Sequence, residues 1–152
     1  MRAAEVAALV LEDLNWRQRT LRLNQSKNGH PAQLPIWSDV GQAIADYLRA
    51  GRPAGSYRQV FLHHQPARPM DRKAISQVIR RGLHRCGIEV PRPGAHLLRH
   101  TLASHLVQNG ASLKEVADLL RHRHLNSAAV YAHLDLAHLR PLAQAWPKEA
   151  TL

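Results

Sequence analysis

In the segment PGAHLLRHTLASHLVQNGASLKEVADLLRHRHLNSAAVYAHLD, His96, Arg99, His122 and Tyr131 are spaced like a site that attacks a phosphodiester with a tyrosine. His96 and Arg99 are three residues apart in a stretch with a helical pattern, so both address one side of a helix and can reach one ligand. A guanidinium stays charged at every physiological pH, and its forked donors match two phosphate oxygens. Tyr131 is a weak nucleophile while its hydroxyl keeps an unperturbed pKa near ~10, so attack requires neighbouring cations or a base. His122, nine residues before it, either eases loss of that proton or binds a phosphate oxygen. Near the start, Arg2 is followed one helical turn later by Glu5, whose carboxylate can orient a second guanidinium. Lys27, at the tip of a turn-prone Lys27-Asn28-Gly29, offers a flexible ammonium able to protonate a departing alkoxide.

Each of these residues also has an ordinary reading: a packed tyrosine, a solvated arginine, a turn lysine. It is their joint spacing that singles them out. His96 and His100, at i and i+4, could instead hold a metal, but no glutamate stands between them and no third ligand is evident. His63, His64 and His124 have no recognisable partner in the sequence, and His105 falls on the surface of its helix.

The elements that must position these groups can be read from periodicity and punctuation. A helix over 2–11, with apolar Val6, Leu9 and Val10, opens the chain without a capping residue, as if it began inside the helix. Strand-like alternation at 14–16, 20–24 and 33–36, broken at Arg17-Gln18 and at Lys27-Asn28-Gly29, predicts a small antiparallel sheet of three strands. Ser38 is expected to cap a helix to about Ala50, ended by Gly51 and Pro53, and 60–62 to be a short extended piece. Asp71 opens a helix through Arg85 with Gly87 at its end. A proline-rich 90–94 then resets the chain before a helix over 95–109 stopped by Gly110. Ser112 and Glu115 form a capping box for a helix to about Arg121, and Asn126 and Asp135 can cap later ones. The fold class is therefore α+β, mainly helical, and 152 residues suit a single domain.

Composition narrows the partner. Lys plus Arg number 21 against 11 Asp plus Glu, a formal net charge of +10, which suits a polyanion. No apolar run approaches the ~20 residues of a membrane span and no secretory leader is evident, so a cytosolic protein is expected. The single cysteine, Cys86, excludes an internal disulfide and is expected to be a small core residue.

Taken together, these motifs resemble the catalytic domain of a tyrosine recombinase of the phage integrase family, from Arg2 through Tyr131. RAAEVAALVLEDLNW resembles the first arginine box, SKNGHPAQLPI the sheet segment with its lysine, HLLRHTLASHL the His-x-x-Arg box, and LLRHRHLNSAAVYAHLD the histidine box and tyrosine. The resemblance implies a small three-stranded antiparallel sheet in a mainly helical domain. It implies that Tyr131 cleaves one strand of double-stranded DNA, forming a 3'-phosphotyrosine and releasing a 5'-hydroxyl. Arg2 and Arg99 would clamp the phosphate, Lys27 would act as general acid, and His96 and His122 would assist. Because the covalent link keeps the energy of the broken bond, neither a metal nor a nucleotide cofactor is implied.

DNA integration or recombination within a mobile genetic element, beside the nucleoid, is the expected setting. A homotetramer on DNA is the expected assembly, with a tail over 133–152 (Leu134, Leu136, Leu139, Leu142, Trp146) either packing within its own chain or docking on a neighbour. A DNA-binding remnant with impaired catalysis and a type IB topoisomerase are the alternatives. The family commonly has glycine where this chain has Arg121, and threonines at Ser127 and Ala128; Arg121 and Arg123 are further candidates for DNA contact. The family's N-terminal core-binding domain is expected to be absent, which would weaken phosphate-driven affinity.

Overall fold

A computed structural model describes residues 1–24 and 31–121. Lys27, His122, Arg123, Tyr131, the caps expected at Asn126 and Asp135 and the tail over 133–152 lie outside the described residues. The chain divides into two compact units, 1–99 and 100–152, with a membrane-spanning helix absent among the described residues.

The first unit is built around a sheet. Helix α1 (Ala3–Ala8) is followed by a 3-10 turn, Leu11–Asp13, and then by β1 (Leu14–Asn15), β2 (Thr20–Leu23) and β3 (Ala32–Pro35). These strands pair antiparallel in the order β1-β2-β3, with Leu14 opposite Leu21 and Leu21 opposite Leu34. Alternation sends Leu21 and Leu23 inward and leaves Arg22 exposed, as period-two side chains must. Leu9, Leu14, Leu21, Leu23, Ile36 and Val60 form the buried cluster, with Tyr47 and Phe61 packed against it as a tilted ring pair 5.6 Å apart.

The opening helix is shorter than its apolar spacing predicts. Leu9 turns extended at the C-cap because it is drawn into the sheet-side core, and Val10 bridges antiparallel to Gln59. Helix α2 (Ser38–Asp46) is capped at Trp37, not Ser38, with no side-chain cap, and continues as a π-helical turn, Tyr47–Gly51. There Tyr47 Oη accepts from the Leu62 amide at 3.1 Å. Of the extended piece expected at 60–62, Leu62 falls in a hairpin, β4 (Leu62–His63) with β5 (Arg68–Pro69).

Helix α3 (Arg72–Arg85) follows the expected bounds. Asp71 caps it by accepting from the Ala74 amide at 2.7 Å, and Gly87 ends it at φ 68, a conformation that costs other residues. It packs against α1. Cys86, at its C-cap, is exposed, so the expectation of a core cysteine is corrected: it stands just past the last turn of the helix, not on its packed side.

Helix α4 (Ala95–Gln108) begins in the first unit and ends in the second. Gly110, at φ 90, terminates it, and α5 (Leu113–Leu119) starts from a full capping box: the Glu115 amide donates to Ser112 Oγ at 3.2 Å while Glu115 Oε2 accepts from the Ser112 amide at 2.8 Å. The second unit's described core is apolar: Ala103, Val107, Val116, Ala117 and Leu120.

Candidate active site

Arg2 is the N-cap residue of α1, and one carboxylate holds it twice. Glu5 Oε2 accepts from the Arg2 amide at 2.6 Å, and Glu5 Oε1 accepts from Arg2 Nη1 at 3.2 Å. Glu5 is buried, its side chain 4% exposed, whereas the arginine side chain is 29% exposed. A buried carboxylate is tolerated only when paired and hydrogen-bonded, and here both conditions fall on the same residue. The helix thus fixes the backbone and the guanidinium of Arg2 through one group while leaving its charged head within reach of solvent.

His96 and Arg99 lie in the first two turns of α4, one turn apart on the same side, His96 exposed and Arg99 half-buried. The helix starts after Gly94, which is buried at φ 153; its carbonyl accepts from the Leu97 amide at 3.1 Å. A positive helix end adds to the Arg99 charge, an arrangement suited to an anion. Among the described residues no group of three His, Cys, Asp or Glu is gathered as a metal site, so the His96/His100 pair acquires no third ligand there.

Arg121 follows α5 in the second unit, half-buried, with its amide donating to the Asp118 carbonyl at 2.9 Å. Its φ of 52 lies in the left-handed region that favours glycine. That backbone requirement is the physical reason a glycine suits this position, and this chain meets it with an arginine.

Of the expected site residues, the structure therefore joins Arg2 to its Glu5 brace, sets His96 and Arg99 on one helix, and places Arg121 after the next one. Lys27, His122, Arg123 and Tyr131 lie outside the described residues. Sequence reasoning missed Asp13, the other buried charged residue among those described, 5% exposed. One partner, the Val10 amide, is three residues away, but the other, Asn24, is eleven residues away at the end of β2, and no local spacing announces it.

Helix α3 adds a basic surface. Arg72, Lys73, Arg80, Arg81 and Arg85 are all exposed, and the helix contains no acidic residue. Such a face concentrates the field that attracts a polyanion.

Comparisons with known proteins converge. The profile of the phage integrase family matches residues 1–138. The integrase/recombinase designated y4rA of Sinorhizobium fredii is 43% identical over 152 residues, which are 99% of this chain and 37% of that protein. Tyrosine recombinase XerD of Corynebacterium glutamicum is 30% identical over 142 residues, 91% of this chain and 46% of that protein. The chain thus spans between about a third and a half of the length of these relatives. The crystal structure of XerH site-specific recombinase bound to palindromic difH substrate, a post-cleavage complex, superimposes with a TM-score of 0.74 at 22% identity, covering 97% of this chain and 42% of that one. The fold is that of these recombinases' matching portion.

Proposed function

This chain belongs to the phage integrase family, and from that premise we propose that it is the catalytic domain of a tyrosine recombinase acting on double-stranded DNA. In this reading the Tyr131 oxygen attacks the scissile phosphorus, the bond from phosphorus to the 5'-oxygen breaks, and a 3'-phosphotyrosine and a 5'-hydroxyl result. Arg2 and Arg99 neutralise the charge that builds on the phosphate oxygens. Lys27 gives the departing 5'-oxygen its proton, while His122 eases loss of the tyrosine's proton and His96 assists at the phosphate. Rejoining reverses the step, because the phosphotyrosine keeps the bond energy.

The observation that carries this reading is the brace on Arg2: a buried carboxylate binding both its amide and its guanidinium. A surface arginine without a task needs no such hold, while a phosphate clamp requires a fixed geometry to act on a transition state. The basic face of α3 supports DNA as the polyanion. Arg121 and Arg123 add backbone contacts in this reading, the tail over 133–152 docks on a neighbouring protomer, and four copies assemble on DNA as a soluble, nucleoid-associated enzyme. The whole chain over 1–152 acts as one catalytic domain.

The test is covalent trapping. Nicked duplexes with randomised flanks, arranged so that the short fragment bearing the released 5'-hydroxyl diffuses away after cleavage, should become attached to the wild-type chain and stay attached in denaturant. Tyr131→Phe should abolish the adduct and leave DNA binding intact. Binding without any adduct from the wild-type chain would replace this reading with that of a DNA-binding remnant.

A further inference from the structure

Asp13 is a buried carboxylate to which cleavage and rejoining give no task. It is 5% exposed, its Oδ2 accepts from the Val10 amide at 3.1 Å, and its Oδ1 accepts from Asn24 Nδ2. Oδ1 also faces Arg22 Nε at 3.9 Å. The arginine side chain is 62% exposed, so water screens the pair and it adds little to stability. Its effect is on direction: with Nε turned to the carboxylate, the outer edge of the fork, Nη1 and Nη2, is left for another group. Among the described residues that edge has no hydrogen bond. A strand thus repeats the arrangement at the start of α1, where buried Glu5 holds Arg2 and leaves its charged head within reach of solvent. The two arrangements are neighbours, because Glu5, Asp13, Arg22 and Asn24 all line one cavity of about 130 Å³ between α1 and the end of β2.

Arg22 stands on the outer face of the three-stranded sheet. Thr20 and Arg22 alternate with the buried Leu21 and Leu23, and the register sets Asn15 and Pro35 beside Thr20 and Gln33 beside Arg22. None of these outer residues is acidic. Gln33 Nε2 donates to Thr20 Oγ1 at 2.8 Å, so the groups flanking the arginine are polar, uncharged and ordered by each other. Arginine, threonine and glutamine are the kinds of side chain that contact a sugar-phosphate backbone, and a face without carboxylates does not repel one. An arginine needed only for solubility would have no use for a buried carboxylate beside its Nε, since taking that carboxylate out of water is costly.

We propose that Arg22 is a further DNA-backbone contact: the outer edge of its guanidinium takes a phosphate near, but distinct from, the one held by Arg2, and Asp13 is the positioning residue that directs it. This rests on the reading of duplex DNA as the partner. Arg22 takes no part in making or breaking bonds, and Asp13 touches no DNA.

The experiment uses the full chain and a labelled duplex of randomised sequence, with affinity measured by fluorescence anisotropy across a range of salt. Each phosphate contact contributes about 0.9 to the slope of log affinity against log salt. Arg22→Gln, at an exposed position that leaves the core untouched, is expected to make the slope shallower by about that amount and to weaken binding roughly threefold to tenfold. Arg17→Gln removes the same charge from the exposed turn before the other end of β2, and is expected to change the slope by less than about 0.3. Arg22→Lys keeps the charge and is expected to recover the slope while losing part of the affinity, because an ammonium lacks the fork. Asp13→Asn raises the net charge by one and by charge alone would tighten binding; it is expected instead to weaken it, by roughly twofold to fivefold. The double variant of Asp13→Asn with Arg22→Gln is expected to bind as Arg22→Gln does, since Asp13 then has nothing to direct.

Equal slopes for Arg22→Gln and Arg17→Gln would overturn the inference, leaving Arg22 one of many charges in a diffuse field. Tighter binding by Asp13→Asn, or losses that add in the double variant, would overturn the positioning role of Asp13. Should Asp13→Asn fail to fold, the comparison of Arg22→Gln with Arg17→Gln decides the contact by itself. The functional reading is tested apart from this: a wild-type chain that binds duplex with the expected dependence on Arg22 but forms no covalent adduct keeps the contact and loses the catalysis. A wild-type chain that binds no duplex overturns both.

Discussion

The two units hold their functional side chains by different means. In the first, buried carboxylates do the holding: Glu5 grips Arg2 within the first turn of α1, and Asp13 links Val10 to Asn24 across elements. Glu12 reaches Arg58, 46 residues away, and the pairing lowers the Glu12 carboxyl below its ordinary value. In the described part of the second unit, the helices meet in an apolar cluster, Ala103 and Val107 with Val116, Ala117 and Leu120, and the bonds between Ser112 and Glu115 form a local cap. The lesson is about precision. Directional bonds to a buried charge fix an angle, as a clamp on a phosphate demands, while apolar packing fixes contact but tolerates small rotations.

The largest expected effect tests the apolar side. Leu120 is 3% exposed and its loss leaves a cavity that two short helices cannot readily close. Leu120→Ala should cost about 2–5 kcal/mol, read as faster amide exchange in α5 and the C-terminal half of α4. A change under about 1 kcal/mol would mean that the described cluster is not what holds these helices.

Next is the directional side. Glu5→Gln keeps the shape but removes the charge that pairs with Arg2, and should cost about 1–3 kcal/mol in chemical denaturation. Its more telling signature lies in activity: adduct formation on the nicked pools should fall by roughly tenfold or more even at temperatures where the variant is fully folded, because a misdirected guanidinium forfeits transition-state stabilisation. Unchanged activity in a folded Glu5→Gln protein would erase the distinction drawn between the units.

Much of this architecture is legible in sequence where the determinants are local. Asp71 with Ala74 and Gly87, and Ser112 with Glu115 after Gly110, carry their caps within four residues, and α3 and α5 begin where those residues require. The three strands are legible because Leu21 and Leu23 alternate with Arg22. The rest depends on partners distant in sequence. Leu9 and Val10 carry helical spacing yet leave the helix, since the core around Val60 and the bridge to Gln59 compete for them. The β4–β5 hairpin is two residues per strand and ends in Pro69, too short for periodicity to register. In the site, Arg2 with Glu5 and His96 with Arg99 are visible as one-turn spacings, whereas the bond from Asn24 to Asp13 spans eleven residues and leaves no pattern in the chain.

The smallest expected effect concerns the start of α5, where a polar bond does exist in the second unit but only within one turn. Ser112 Oγ accepts from the Glu115 amide, and Ser112→Ala should cost about 1 kcal/mol. Glu115 answers by accepting from Ser112, and the Ser112 hydroxyl followed by the Ser112 backbone holds its carboxyl below the ordinary value of 4.5. A carboxyl lowered by folding contributes stability that is fully present above its unfolded value and lost as pH falls through the lowered folded one. Acid titration followed by the α5 amides should therefore show fraying that sets in below about pH 4.5 in the wild type. In Glu115→Gln the same helix should start weaker at neutral pH and change less on acidification, since it has no carboxylate left to protonate. If both proteins frayed in parallel, the acid response would come from the loss of other charges across the chain and the cap would have no share in it.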